Sequence, residues 1–202
     1  MFEKHDTLVS EISSSLANVS LNQIDRRDML RLGLAGILGS VVPLSFVKSV
    51  EASTGGAWRV AFRNNHTGES FNGVYRVGNK YLPDAFERLN YVLRDYRNGE
   101  IFPMDPRVID VMAVIQKKAG QKQPVDVLSG YRSPKTNAGL RMESSGVAKN
   151  SFHMYGQALD MRIKGFDTRK LRTLATGLKA GGVGYYPNSD FVHVDTGTVR
   201  SW

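Results

Sequence analysis

The sequence predicts an α+β domain in which a small antiparallel sheet is flanked by helices, and three observations carry that expectation. Short segments of strand-like pattern are separated by tight polar turns, so neighbours pair locally. Between them stand segments with apolar residues three and four apart, bounded by helix start and stop signals, but not in the regular strand–helix order of a parallel sheet. The 202 residues, 41% apolar and 23% charged, suffice for one globular core with an appendage and are too few for two large domains. That balance also excludes a disordered chain and a protein of many membrane spans.

The appendage is amino-terminal. Residues 1–25 are polar and rich in Ser and Asn; Arg26 and Arg27 follow, and an apolar run over 32–47 carries Gly33, Gly36, Gly39 and Pro43 before Lys48. The run is shorter than the roughly 20 residues a spanning helix needs, and its glycines and proline suit a removable signal better than a permanent span. Val50-Glu51-Ala52 offers small or apolar residues where a signal peptidase reads, so residues 1–52 are expected to be a signal peptide and 53–202 the domain. The arginine pair resembles a twin-arginine signal, with Asp25 where Ser or Thr is usual and Met29 where Phe is usual. Such a signal exports a folded protein to the periplasm. The alternative is a buried or interfacial helix behind a polar tail.

Within the domain, 58–62 and 71–77 read as strands of a hairpin closed by Asn64-Asn65-His66-Thr67-Gly68. After Pro83, residues 84–97 place Phe86, Leu89, Val92, Leu93 and Tyr96 on one helical face, with Gly99 as the stop. Asp105 caps the next helix and Pro106 opens it; Val108, Ile109, Met112 and Ile115 form its buried stripe and Gly120 ends it. A short strand at 125–128 and a short helix at 135–142 follow. Residues 157–163 alternate as a strand. Asp167 caps a helix that turns Leu171, Leu174, Ala175 and Leu178 inward and ends at Gly181-Gly182, and 191–195 is the last strand.

Charge and composition narrow the chemistry. Lys and Arg number 27 against 19 Asp and Glu; residues 1–52 hold five and six of these, so 53–202 hold 22 and 13 and carry the whole basic excess. Outside the cytoplasm, with no nucleic acid at hand, the natural polyanionic partner is peptidoglycan. The absence of cysteine excludes disulfides, thiolate catalysis and thiolate metal sites, and leaves His and carboxylates as ligands. Of four histidines, His5 falls in the leader and His66 in a polar turn.

Alternation turns Leu159, Met161 and Ile163 to one face and Asp160 to the other; likewise Val192 and Val194 oppose Phe191, His193 and Asp195. His153 precedes a turn at Gly156 that can fold it back beside Asp160. If the two strands are neighbours, His153, Asp160 and His193 converge as two imidazoles and a carboxylate, a suitable three-ligand set for catalytic zinc. Zinc so held lowers the pKa of a water to roughly 7 and polarises a substrate carbonyl. A second carboxylate must then move a proton, and Asp190, three residues before His193, is the candidate general base. Asp195 is a candidate partner for the second nitrogen of His193. Spacing alone leaves each of these open to a plain surface role.

Ser151-x-His153-x-x-Gly156-x-Ala158-x-Asp160, followed by Phe191-Val192-His193-Val194-Asp195, resembles the zinc-dependent D-Ala-D-Ala peptidase family (peptidase M15-like), whose fold is shared with the signalling domain of hedgehog proteins. Ser129-Gly130-Tyr131-Arg132-Ser133-Pro134 and Gly182-Val183-Gly184-Tyr185-Tyr186-Pro187 match two further segments, so the resemblance spans about residues 84–202. It is strongest to the twin-arginine-exported murein endopeptidase branch. It implies zinc on His153, Asp160 and His193, a base at Asp190 where several relatives have Glu, and Arg132 on a substrate carboxylate or on the developing oxyanion. Phe191 stands where some members have a stabilising His, so that role is either absent here or moved to Tyr185 or Tyr186. The function implied is a periplasmic zinc metallopeptidase that cuts peptide crosslinks of peptidoglycan, between diaminopimelate residues or from D-Ala to diaminopimelate. The alternatives are a D,D- or L,D-carboxypeptidase and a non-catalytic zinc-containing wall-binding domain.

Overall fold

The computed structural model describes residues 56–120 and 123–202, so the signal peptide assigned to 1–52 lies outside the described residues. The expected hairpin is present: β1 (Ala57–Asn64) and β2 (Ser70–Val77) pair antiparallel with Phe62 opposite Phe71, and β3 (Lys80–Tyr81) adds to β2. In the turn, the Asn64 side-chain oxygen accepts from the backbone N–H groups of His66 and Thr67.

Helix α1 (Pro83–Val92) buries Ala85, Leu89 and Val92 and stops five residues before the periodicity predicts. Polar tertiary bonds replace its last turn. The Leu93 carbonyl accepts the Tyr131 N–H at 2.8 Å, and the buried Asp95 carboxylate accepts the N–H groups of Arg97 and Ser133. Helix α2 (Pro106–Ala119) begins at Asp105, whose carboxylate accepts from the Arg107 N–H, and ends on Gly120 at φ 64°. β4 (Val125–Ser129), α3 (Pro134–Glu143) under a Ser133 cap, and β5 (Ala158–Ile163) follow. Helix α4 (Thr168–Gly177) starts on its Asp167 cap, and the left-handed residue after it is Lys179 rather than Gly181 or Gly182. Those glycines lead into β6 (Gly182–Tyr186), where a side chain at Gly182 would run into Asp195 and Arg200. β7 (Phe191–Asp195) and β8 (Arg200–Ser201) complete the sheet.

The strand order is β3-β2-β1-β4-β5-β7-β6-β8. The α+β class is as predicted, but the sheet is larger than expected and mixed: β1–β4 and β6–β8 are parallel, the rest antiparallel. The β1–β4 pairing is parallel because a hairpin strand and two helices intervene, a connection long enough to return the chain to the same end of the sheet. Leu159, Met161, Ile163, Val192 and Val194 join Ile109, Met112, Ile115 and Leu171 of the helices in one buried cluster. Each such fully buried side chain contributes on the order of 1.5–3 kcal/mol. With its apolar face committed to the helices, the centre of the sheet presents Asp160, His193 and Asp195 on the other side.

Candidate metal centre

Register places the central pair. β5 and β7 run antiparallel with Asp160 directly opposite His193, so their side chains rise together from one face. His153 comes from a 3₁₀ turn (Phe152–Tyr155) that ends on Gly156 at φ 64°. A Cβ at Gly156 would strike the backbone of Pro103, so only glycine lets the chain reverse there and bring His153 over β5. The Arg132 N–H donates to the His153 carbonyl at 3.1 Å, tying the segment after β4 to the same turn.

The ring orientations follow from hydrogen bonds. His153 Nδ1 lies 2.7 Å from the Gly130 carbonyl; a carbonyl only accepts, so Nδ1 carries the proton and Nε2 presents a lone pair. That Nε2 is 3.2 Å from Asp160 Oδ1 and 3.2 Å from His193 Nδ1. His193 Nδ1 is 2.8 Å from Asp160 Oδ1, while its Nε2 is 3.0 Å from Asp195 Oδ2. Asp195 is itself buried and held by Arg200 at 2.7 Å and by the N–H groups of Gly182 and Gly197. One ligand atom from each of His153, Asp160 and His193 falls within 4.8 Å of the others.

Burial pushes the His153 pKa down and keeps that ring neutral. Burial alone would raise the Asp160 pKa, but the two imidazoles outweigh it and hold the carboxyl well below the usual carboxylate range. For His193, burial opposes the charged form, and hydrogen bonds to Asp160 and Asp195 overcome it, pushing the pKa up to about 9. A cluster that draws a buried imidazole toward its cationic form favours positive charge at its centre. Two aligned nitrogens and an ionised carboxylate fit a divalent zinc-type ion.

The cluster floors a cleft of about 420 Å³ whose walls include Arg132, Phe152, Tyr186, Phe191 and Trp202. The Arg132 guanidinium is largely buried and under-bonded: Nη2 is 3.6 Å from Asp160 Oδ2, contacts to Ser129 and Asn137 are long at 3.4 Å, and Nε has no partner. A largely buried guanidinium that lines the cleft and whose Nη contacts are all long is suited to a carboxylate or a developing oxyanion.

Asp190 does not join the cluster. It follows a 3₁₀ turn (Pro187–Ser189) in the left-handed conformation at φ 50° and ψ 53°, is exposed, and accepts a hydrogen bond from Thr168 Oγ1 at the start of α4. An offset of three along a strand is odd, so the position three before His193 does not inherit its face. Asp tolerates the left-handed region better than most residues, which accounts for its place in the turn. Among the described residues, Asp160 is the only carboxylate lining the cleft. His66 stacks on Tyr96 at 3.8 Å and bonds the Leu128 carbonyl, apart from the cluster. Sequence reading missed Arg200 and Trp202, which reach the site through the pairing of β8 with β6; a two-residue strand carries no periodic signal.

A sequence model of the family described as "Peptidoglycan L,D-endopeptidase MepK" matches residues 52–202. The chain is 41% identical over 185 residues to a probable peptidoglycan L,D-endopeptidase MepK of Haemophilus influenzae, covering 90% of this chain and 98% of that protein. It is 40% identical over 178 residues to the peptidoglycan L,D-endopeptidase MepK of Escherichia coli K12, covering 88% and 97%. With the matched region enclosing every strand and helix that builds the cleft, the chain belongs to the peptidoglycan L,D-endopeptidase MepK family of M15-like peptidases.

Proposed function

We propose that this protein is a zinc-dependent peptidoglycan endopeptidase of the periplasm, exported by the twin-arginine-type leader read over residues 1–52. The observation that carries this reading is the convergence of His153 Nε2, Asp160 Oδ1 and His193 Nδ1 at the floor of a cleft, in a chain about 40% identical to named peptidoglycan endopeptidases. Both relatives are named L,D-endopeptidases. A crosslink from the L-centre of one diaminopimelate to the D-centre of the next has that stereochemistry, whereas a D-Ala-to-diaminopimelate bond joins two D-centres. The diaminopimelate-to-diaminopimelate crosslink is therefore the substrate of this reading.

His153, Asp160 and His193 would hold the metal, which would supply Lewis acidity toward the scissile carbonyl and an activated water when bound. Asp195 fixes the His193 ring so that Nδ1 faces the centre, and its carboxyl is held well below the usual range by His193 and Arg200 despite its burial. Arg132 receives a substrate carboxylate on its weakly bonded Nη donors. A non-catalytic wall-binding domain does not need an under-bonded guanidinium beside the ligands, and a carboxypeptidase does not match the relatives' endopeptidase names.

Crosslinked sacculi digested with zinc-loaded and with chelated protein test the reading. Diaminopimelate-linked muropeptide dimers are expected to fall to monomers only in the zinc-loaded digest. Persistence of dimers in both digests would sink the enzyme assignment, and release of terminal residues alone would replace it with a carboxypeptidase.

A further inference from the structure

Four adjacent strands, β4-β5-β7-β6, carry the cleft's polar groups in a definite order. β5 and β7 bear Asp160 and His193, Arg132 lies three residues beyond β4 on one flank, and Tyr186 ends β6 on the other. The Tyr186 ring stacks on Phe191 with centroids 4.5 Å apart and planes 14° apart, which fixes its orientation. Trp202 Nε1 lies 3.0 Å from Tyr186 Oη. An indole N–H only donates, so Tyr186 Oη is the acceptor and its own proton points elsewhere. No described residue takes that proton, and both side chains line the cleft.

Trp202 is placed with equal definition. Its backbone N–H donates to the Val183 carbonyl at 3.2 Å, and its carbonyl accepts the Tyr185 N–H at 3.0 Å. The indole sits 5.5 Å from the His193 ring, and a Cβ at Gly184 would come within 2.8 Å of it, so glycine at 184 makes room for the indole on β6. The Tyr186 hydroxyl is thus bonded to an indole whose ring lies 5.5 Å from that of a proposed metal ligand, and it keeps a donor that no described residue uses, on a side chain that lines the cleft.

We infer that Tyr186 is a catalytic residue, donating a hydrogen bond to the scissile carbonyl oxygen as attack at carbon moves the π electron pair onto that oxygen, and that Trp202 is its positioning residue. The proton stays on Tyr186 throughout. The substituent opposite Arg132 then stabilises the developing charge while Arg132 holds the carboxylate. This rests on the endopeptidase reading and deepens it.

The test uses a purified diaminopimelate-linked muropeptide dimer with the wild type, Tyr186→Phe, Trp202→Phe and the double variant, measuring kcat, KM, bound zinc and thermal midpoint. Tyr186→Phe is expected to lower kcat about 100-fold, the scale of a lost oxyanion donor, with KM, zinc and midpoint unchanged. Trp202→Phe is expected to lower kcat by roughly tenfold, and the double variant to be no slower than Tyr186→Phe, because Trp202 acts through that hydroxyl. Wild-type kcat in Tyr186→Phe, a loss confined to KM, loss of zinc, or multiplying losses in the double variant would each overturn the inference. A zinc-loaded wild type that cuts no dimer would overturn the endopeptidase reading itself, an outcome separate from an active wild type beside an unaffected Tyr186→Phe.

Discussion

Asp190 and Asp195 bracket the same strand, and their different surroundings show how one residue's parity decides its chemistry. Asp195 shares the cleft face with His193 and is wrapped by a guanidinium, an imidazole and two backbone N–H groups. Asp190 sits outside the strand in a left-handed turn, bonded to Thr168. A general base contributes roughly 10²–10⁴-fold, so its amide replacement is a sharp discriminator. Asp190→Asn, which suits the same left-handed backbone, is expected to keep zinc content and to cleave within about twofold of wild type. A hundredfold loss with zinc retained would return the base to Asp190 and require the loop to rearrange around substrate. At this scale the sequence was legible where alternation applies: Asp160, His193 and Asp195 rise from the predicted face. The expectation at Asp190 rests on its place three residues before His193 and on the family resemblance; the structure puts that residue in a turn bonded to Thr168, so its role is left to the Asp190→Asn measurement.

At the level of elements, the cleft depends on short irregular pieces that periodicity does not announce. β6 reads Gly-Val-Gly-Tyr-Tyr, with too few side chains to show alternation, and its glycines answer to neighbours far along the chain, Arg200 and Asp195 at Gly182 and Trp202 at Gly184. By contrast α2 and α4 were readable from caps and apolar spacing, since those signals are local. The turn after His153 is the most exacting of the irregular pieces. Gly156→Ala forces a Cβ toward the Pro103 backbone and puts alanine at φ 64°. The left-handed conformation alone costs about 1–2 kcal/mol, with the steric contact in addition. Because His153 hangs on that turn, Gly156→Ala is expected to lower the urea midpoint and weaken zinc binding together. Unchanged zinc affinity in a destabilised variant would show that the turn serves stability without placing the ligand.

Across the whole molecule, the helices cover one face of the sheet and the charged cluster occupies the other, so folding and metal binding meet in the two central strands. The apolar core of the described residues is built from elements between β1 and β7. Zinc binding to the folded cluster, and not to the unfolded chain, would stabilise by about 4 kcal/mol when free zinc exceeds its dissociation constant a thousandfold. For a domain of this size each kcal/mol moves the thermal midpoint by about 2–4 °C, so chelation is expected to lower it by about 8–16 °C. The same drop is expected for residues 53–202 alone and for the full chain, because His153, Asp160, His193 and Asp195 all lie in that segment. Differential scanning calorimetry on both proteins, with and without chelator, measures it. An unshifted midpoint in both would remove the metal from the folded state. A shift in the full chain only would tie residues 1–52 into the folded unit and overturn their assignment as a removable signal.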